Sequence, residues 1–224
     1  MSTRLIVFVF LLCLMTILTA CGEREGTVDV QSTSLEGVEQ IHIDHGSTSV
    51  HLESDPELSD LEVSITTYDS EPAVLLDTQN DTISISMNYD LRRIVNIGRK
   101  PHLTIRVPDY YKGKIVVQGS SGNVNSANVQ AEELIIQGKS GRISLDYEEL
   151  RTQLQISAKS GNVSLSLNDK DSDVTWSLKS GSGRRTSAIG WDNTREGKDV
   201  TQGVTGSGTY RVDIQTSSGN ISIQ

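Results

Sequence analysis

A serine-glycine pair recurs at 121–122, 140–141, 160–161, 180–181 and 218–219. The spacings between the serines are 19, 20, 20 and 38 residues, the last being two steps of 19. A period near 20 residues is the mark of a stacked repeat, in which each unit buries its apolar face against the next. The neighbours of each pair recur as well. Six positions before the serine stand Ile115, Leu134, Leu154, Val174 and Val212; four before stand Val117, Ile136, Ile156, Trp176 and Ile214. Three positions after stand Val124, Ile143, Val163, Gly183 and Ile221. Apolar residues at every second position on both sides predict strand, corner, strand. Glycine supplies the positive φ that a sharp corner needs, and serine bonds the local backbone there. Such coils, paired about 4.8 Å apart, predict an all-β, single-domain parallel β-solenoid.

The fourth copy departs from the pattern, because Gly183 and Arg185 fall where apolar residues are expected. The stretch 181–209 reads as a degenerate coil near the end of the stack, or as a long loop. The first half of the chain has alternating segments, such as IHID (41–44), SVHL (49–52) and LTIRVP (103–108), but a blurred period. No segment has a helical period. Aromatics make up only 4% of the chain, which suits a fold that buries β-branched side chains in thin layers.

The N-terminus reads as a targeting segment. Leu5–Leu18 is uncharged and mostly apolar, too short for a comfortable membrane span and right for a signal-peptide core. It ends in LTACG, a bacterial lipobox pattern, with Cys21 as the lipidated residue after cleavage of residues 1–20. The other cysteine, Cys13, lies within the leader, so the mature chain has no disulfide or cysteine metal site. Residues 21–37 are polar and predict a flexible tether, leaving 38–224 as the β-solenoid domain.

Twenty Lys and Arg against 29 Asp and Glu give a formal net charge of −9, which argues against a nucleic-acid partner. Motifs for a nucleophile elbow, phosphate loop, dinucleotide site or zinc protease do not occur, so no catalytic residue and no cofactor is assigned. His42, Asp44 and His51 face outward by strand alternation. Three polar residues on a solvated surface is the preferred reading over an N/O metal site, and no metal is assigned. Two basic features stand out. Arg92, Arg93, Arg99 and Lys100 cluster in one segment. Lys139, Lys159 and Lys179 each precede a Ser-Gly corner, so stacking predicts a row of like charges. Either feature offers a contact for an anionic partner; a solubilising edge is the simpler account of both.

The segments IHIDHGSTSVHL and LTIRVP, the Ser-Gly repeats and the closing VDIQTSSGNISIQ together resemble a bacterial domain-of-unknown-function family labelled "putative adhesin", with relatives near envelope-stress operons. The resemblance runs from about Val38 to Gln224. It implies a β-helix-like fold and an extracytoplasmic place, and it carries no binding or catalytic residue onto this chain. The expected function is a non-catalytic cell-envelope lipoprotein, an adhesin-like binding or scaffold module. It would be held to the membrane by its lipid and would contact an envelope polymer or protein. Two alternatives stand beside it. One is a self-assembling structural solenoid, suggested by NISIQ stopping in mid-strand. The other is a polysaccharide-active β-helix enzyme, which would need a row of carboxylates in a long groove.

Overall fold

The computed structural model describes residues 26–67, 74–88, 100–169 and 171–224. All regular structure in them is β. The strands form two mixed sheets, one of nine strands and one of ten, enclosing one apolar core.

Three repeats build the middle as the alternation requires. Each sends its first strand to the ten-stranded sheet: β8 (Lys114–Gly119), β10 (Glu133–Ser140) and β12 (Gln153–Ser160). After the corner each sends a second strand to the nine-stranded sheet: β9 (Val124–Ala127), β11 (Ile143–Tyr147) and β13 (Val163–Leu167). Pairing is parallel and in register, with Ile115 beside Leu134 and Leu134 beside Leu154. These side chains are almost wholly buried. The coil before them, β2 (Gln40–Gly46) and β3 (Ser49–Asp55), turns at HGST and lies parallel to β8 and β9.

The corners explain why the glycines repeat. Gly141 has φ +119°, and a Cβ there would run into the carbonyl oxygen of Gly122. Gly161 stands over the carbonyl of Gly141 in the same way, Gly219 over Gly161, and Gly183 over Gly219. The column admits no side chain at any level. Asparagine stitches adjacent levels together. The side-chain oxygens of Asn123, Asn162 and Asn220 accept from the backbone N–H of Arg142 (3.0 Å), Asn220 (3.0 Å) and Arg184 (2.9 Å).

The structure corrects four expectations. The fourth corner is Ser182-Gly183, not Ser180-Gly181. In β14 (Val174–Ser182), Trp176 lies beside Val212 and Ser182 beside Ser218 of β18 (Tyr210–Ser218). Ser180 instead points inward, buried, and donates to the Gly219 carbonyl at 3.0 Å.

Spatial order also departs from chain order. The last coil, β18 with β19 (Ile221–Ile223), lies between the β12–β13 coil and the coil of β14 with β15 (Arg185–Ser187). NISIQ is therefore an interior layer, paired on both sides, and the ground for end-to-end assembly is withdrawn.

The sheets are not parallel throughout. At one end β14 pairs antiparallel with β17 (Val200–Thr205), and β17 with β16 (Asp192–Glu196). Residues 181–209 thus close the stack. Arg185, in register with Ile221, donates to Thr201 Oγ1 at 3.0 Å and to the Gly197 carbonyl at 3.1 Å. At the other end β6 (Thr82–Met87) and β7 (His102–Pro108) join parallel to β2 and β3. Antiparallel strands β5 (Val74–Gln79) and β4 (Leu61–Thr67) then follow on their outer sides.

Lastly, the expected tether is structured from Thr27. Strand β1 (Thr27–Thr33) pairs antiparallel with β4 along its whole length and forms the outer strand of the nine-stranded sheet.

Candidate binding groove

Where strands enter the ten-stranded sheet, their first residues fall into one register line across the outer face. Thr82, Gln40, Lys114 and Glu133 follow one another, then Gln153 beside Glu133. Arg211, the second residue of β18, completes the line, its backbone N–H donating to Gln153 Oε1 at 2.8 Å. Each alternates with a buried residue next in sequence, from Ile83 to Val212, so strand geometry turns all six outward. Six strands give five spacings, roughly 24 Å.

This line is the floor of a groove of about 1130 Å³. Its walls are the 34–39 segment, with Leu35 and Val38, and the turn from β7 to β8, with Tyr110, Tyr111 and Lys112. The Tyr110 ring is exposed, while its hydroxyl donates to the Ser59 carbonyl at 2.7 Å, which fixes the ring's place. Tyr111 is buried and donates to the Lys114 carbonyl at 3.2 Å; burial pushes its hydroxyl well above the ordinary phenol range. Lys112 Nζ donates to the carbonyls of Asp109 (2.9 Å) and Gln130 (3.2 Å) and so ties two turns together. The charges on the floor are paired locally: Lys114 with Glu133 at 2.8 Å, and Arg211 with Asp213. The groove therefore offers amides, hydroxyls, one exposed ring and paired charges, with Glu39, Asp81 and Glu132 also in its lining, a surface suited to polar neutral or mixed-charge ligands rather than to a polyanion.

The basic residues singled out from the sequence are not brought together. Lys139 and Lys159 are exposed and lie at adjacent positions, because Gly138 pairs with Ala158 and Ser140 with Ser160. Lys179 leaves the row. The β18 strand intervenes, the register is shifted by two, and Lys179 stands beside Gln215. Lys100 is exposed just before β7; Arg92, Arg93 and Arg99 lie outside the described residues, as does Cys21. His42 and His51 belong to different sheets, so their outward side chains point apart. His51 instead bonds Glu53 at 3.1 Å, and Arg106 bridges Glu53 and Glu62, at 2.8 Å to each. Arg106 holds the Glu53 carboxyl below the usual carboxylate range. Among the described residues no group of three or more His, Cys, Asp or Glu is placed to hold a metal ion.

The groove was not foreseen. Its residues come from segments far apart in sequence, and the only local signal is the polar residue opening each strand.

Two facing β-sheets, with parallel coils in the middle and antiparallel strands at both ends, define an all-β module of stacked repeats. The chain belongs to the Toastrack DUF4097 family, whose model matches twice, at residues 38–146 and 126–224. Among solved structures it is similar to a "putative cell adhesion protein" from Clostridium sporogenes. That match has 16% identity and a TM-score of 0.69, covering 89% of this chain and 99% of the other. A second, a "putative adhesin" from Bacteroides fragilis, has 12% identity and a TM-score of 0.38, over 88% of this chain and 97% of the other. At these identities the first likeness speaks for the fold alone. No curated protein matches the chain.

Proposed function

We propose that the chain is a non-catalytic, adhesin-like binding module of the cell envelope. In this reading it is anchored outside the membrane by lipid on Cys21 and holds an extended glycan in the groove. The observation that carries the reading is the register line from Thr82 to Arg211. It is a polar track crossing six strands, and a linear polymer lying along it would meet a hydroxyl, two amides and locally paired charges in turn. The glutamine amides give and accept hydrogen bonds, as hydroxyl and acetamido groups require. The exposed Tyr110 ring presents an apolar body with a polar tip. The leader and lipobox support an envelope location, and the name of the Clostridium protein is consistent with it.

The parallel coils of about 20 residues are the scaffold for this role, since parallel in-register stacking makes one outer face repeat from level to level. Co-sedimentation of the mature protein with insoluble envelope glycan tests the proposal. Tyr110→Ala and Gln153→Ala together are expected to weaken binding, while Lys159→Gln, outside the groove, leaves it unchanged. Full binding by the double variant would discard the groove as the site.

A further inference from the structure

A second depression, of about 550 Å³, opens on the outer face of the same ten-stranded sheet, with Asp44, Gln118, Gln137 and Lys139 in its lining. Register explains its place. Asp44 lies beside Gln118, and Gln118 beside Gln137. Each stands four residues after a member of the groove floor: Asp44 after Gln40, Gln118 after Lys114, Gln137 after Glu133. Residues four apart on a strand share a face, so the two lines run parallel, about 13 Å from one another. Gly46, Gly119 and Gly138 also border the depression, so bare backbone forms part of its surface.

The ground between the two lines is apolar. Val116 of β8 lies beside Ile135 of β10, and both face outward, half-buried. Along β8 and β10 the outer face therefore passes from the Lys114–Glu133 ion pair, over an apolar step, to two amides side by side. Among the described residues the amides of Gln118 and Gln137 have no hydrogen-bond partner, so each offers donors and an acceptor to a ligand. Opposite charges flank them. Asp44 stands on β2 and Lys139 on β10, two strand spacings apart and both exposed. Asp44 Oδ1 accepts from the Gly46 N–H at 3.0 Å, which holds the carboxylate in place.

An extended peptide matches that order of chemistry. It rises about 3.3 Å per residue, so four residues cover the ground from the groove to the amide pair. Laid along β8 and β10, it would set a small apolar side chain over Val116 and Ile135 and its amides against Gln118 and Gln137. Its ionised amino and carboxyl groups would face Asp44 and Lys139. A glycan in the groove crosses the strands, and a branch leaving it at right angles runs along them. We propose that the ligand of this face is a glycan substituted with short peptides, the sugar chain lying in the groove and a peptide branch reaching the second depression. This rests on the groove reading above and narrows its ligand class.

The test uses the full mature protein in detergent and two soluble probes prepared from one envelope glycan: fragments that keep their peptides, and the same fragments after an amidase has removed them. Affinities are measured by titration calorimetry. Wild type is expected to bind the peptide-bearing fragments about tenfold more tightly, the worth of one or two amide hydrogen bonds. Gln118→Ala with Gln137→Ala is expected to erase that margin and leave the affinity for bare glycan unchanged. Asp44→Asn keeps an oxygen for the Gly46 N–H and removes the charge; it is expected to reduce the margin at low salt, and it gives a second reading if the double variant folds poorly. Tyr110→Ala with Gln153→Ala is expected to weaken binding of both probes. Equal affinity of wild type for the two probes would overturn the peptide branch and leave the groove standing. A margin that survives in both the double variant and Asp44→Asn would put the peptide elsewhere and overturn the proposal as well. Binding of neither probe would remove the groove reading and the peptide branch with it.

Discussion

Trp176 and Trp191 stack with ring centroids 5.4 Å apart and planes 5° from parallel. Trp176 comes from the core face of β14, and its Nε1–H donates to Thr205 Oγ1 at 3.0 Å. Trp191 precedes β16 and lies over Gly203 of β17, where a Cβ would fall 2.7 Å from the indole. The pair locks the terminal hairpin onto the stack. Removing the buried acceptor with Thr205→Val is expected to cost about 1–3 kcal/mol. These are the chain's two tryptophans, so near-UV circular dichroism reports on them alone among indoles. Trp191→Phe should abolish any coupling signal, and an unchanged spectrum would contradict the stacking.

The glycine column predicts a sharp contrast between neighbouring glycines. Gly141→Val and Gly161→Val each force a side chain against a carbonyl oxygen of the level before, at φ +119° and +155°. Losses of at least ~1–3 kcal/mol per site are expected from the backbone conformation alone. Gly138 differs, since a Cβ there meets only Ile143 Cδ1 at 3.9 Å and Ala158 holds the next position in the row. Gly138→Ala should be neutral or stabilising by up to ~1 kcal/mol. Chemical denaturation of the three variants checks the contrast.

His45 gives the fold an acid-sensitive point. The ring is buried, accounts for the absence of a side chain at Gly119, and its Nδ1 lies 2.6 Å from the Thr48 carbonyl. Burial holds its pKa below the ordinary value, against the pull of the Thr48 carbonyl and Asp44. The unfolded chain therefore binds the proton first as pH falls. Stability is expected to be level above about pH 6.5 and to decline below it, until the folded-state pKa is reached. Glu53, also depressed, adds a second decline that begins near pH 4, the ordinary carboxylate value. Denaturant midpoints between pH 7 and 4 would show the first window, and His45→Gln should shrink it, leaving the share of His102, whose pKa burial also lowers.

The lysines should behave as a pair and a single. Like charges directly opposite on neighbouring strands destabilise by about 0.2–1 kcal/mol. Lys159→Gln is expected to relieve Lys139 by an amount in that range at low salt, with the gain lost as salt screens the pair. Lys179→Gln should add independently to either change. A double-mutant cycle with coupling between 159 and 179 equal to that between 139 and 159 would contradict the register.

The corner was legible because glycine was the only residue that fits a column of carbonyls, and no tertiary knowledge is needed to see its recurrence. The fourth corner was misplaced for an equally physical reason. KSGSG offers two Ser-Gly pairs two residues apart, and a slip of two keeps every side chain on its own face. Alternation cannot tell Ser180 from Ser182; only the pairing of Ser182 with Ser218 does. The order of coils was hidden because all coils present the same apolar rows, so β12 accepts β18 or β14 with similar chemistry. In β1 the polar composition masked Val28 and Val30, whose alternation was the available strand signal.

The placement of β18–β19 sets a schedule for production of the molecule. A polypeptide made from its N-terminus presents β14 to the waiting edge of β12 before Tyr210 exists. The two strands must nevertheless finish one layer apart, with Val212 between Leu154 and Trp176. Early docking of β14 on β12 would have to open again to admit the late strand, which makes a slow, reversible insertion the expected last event. A product cut short before Tyr210 can close β14 directly on β12, and then lacks the layer that sets Val212 between Leu154 and Trp176.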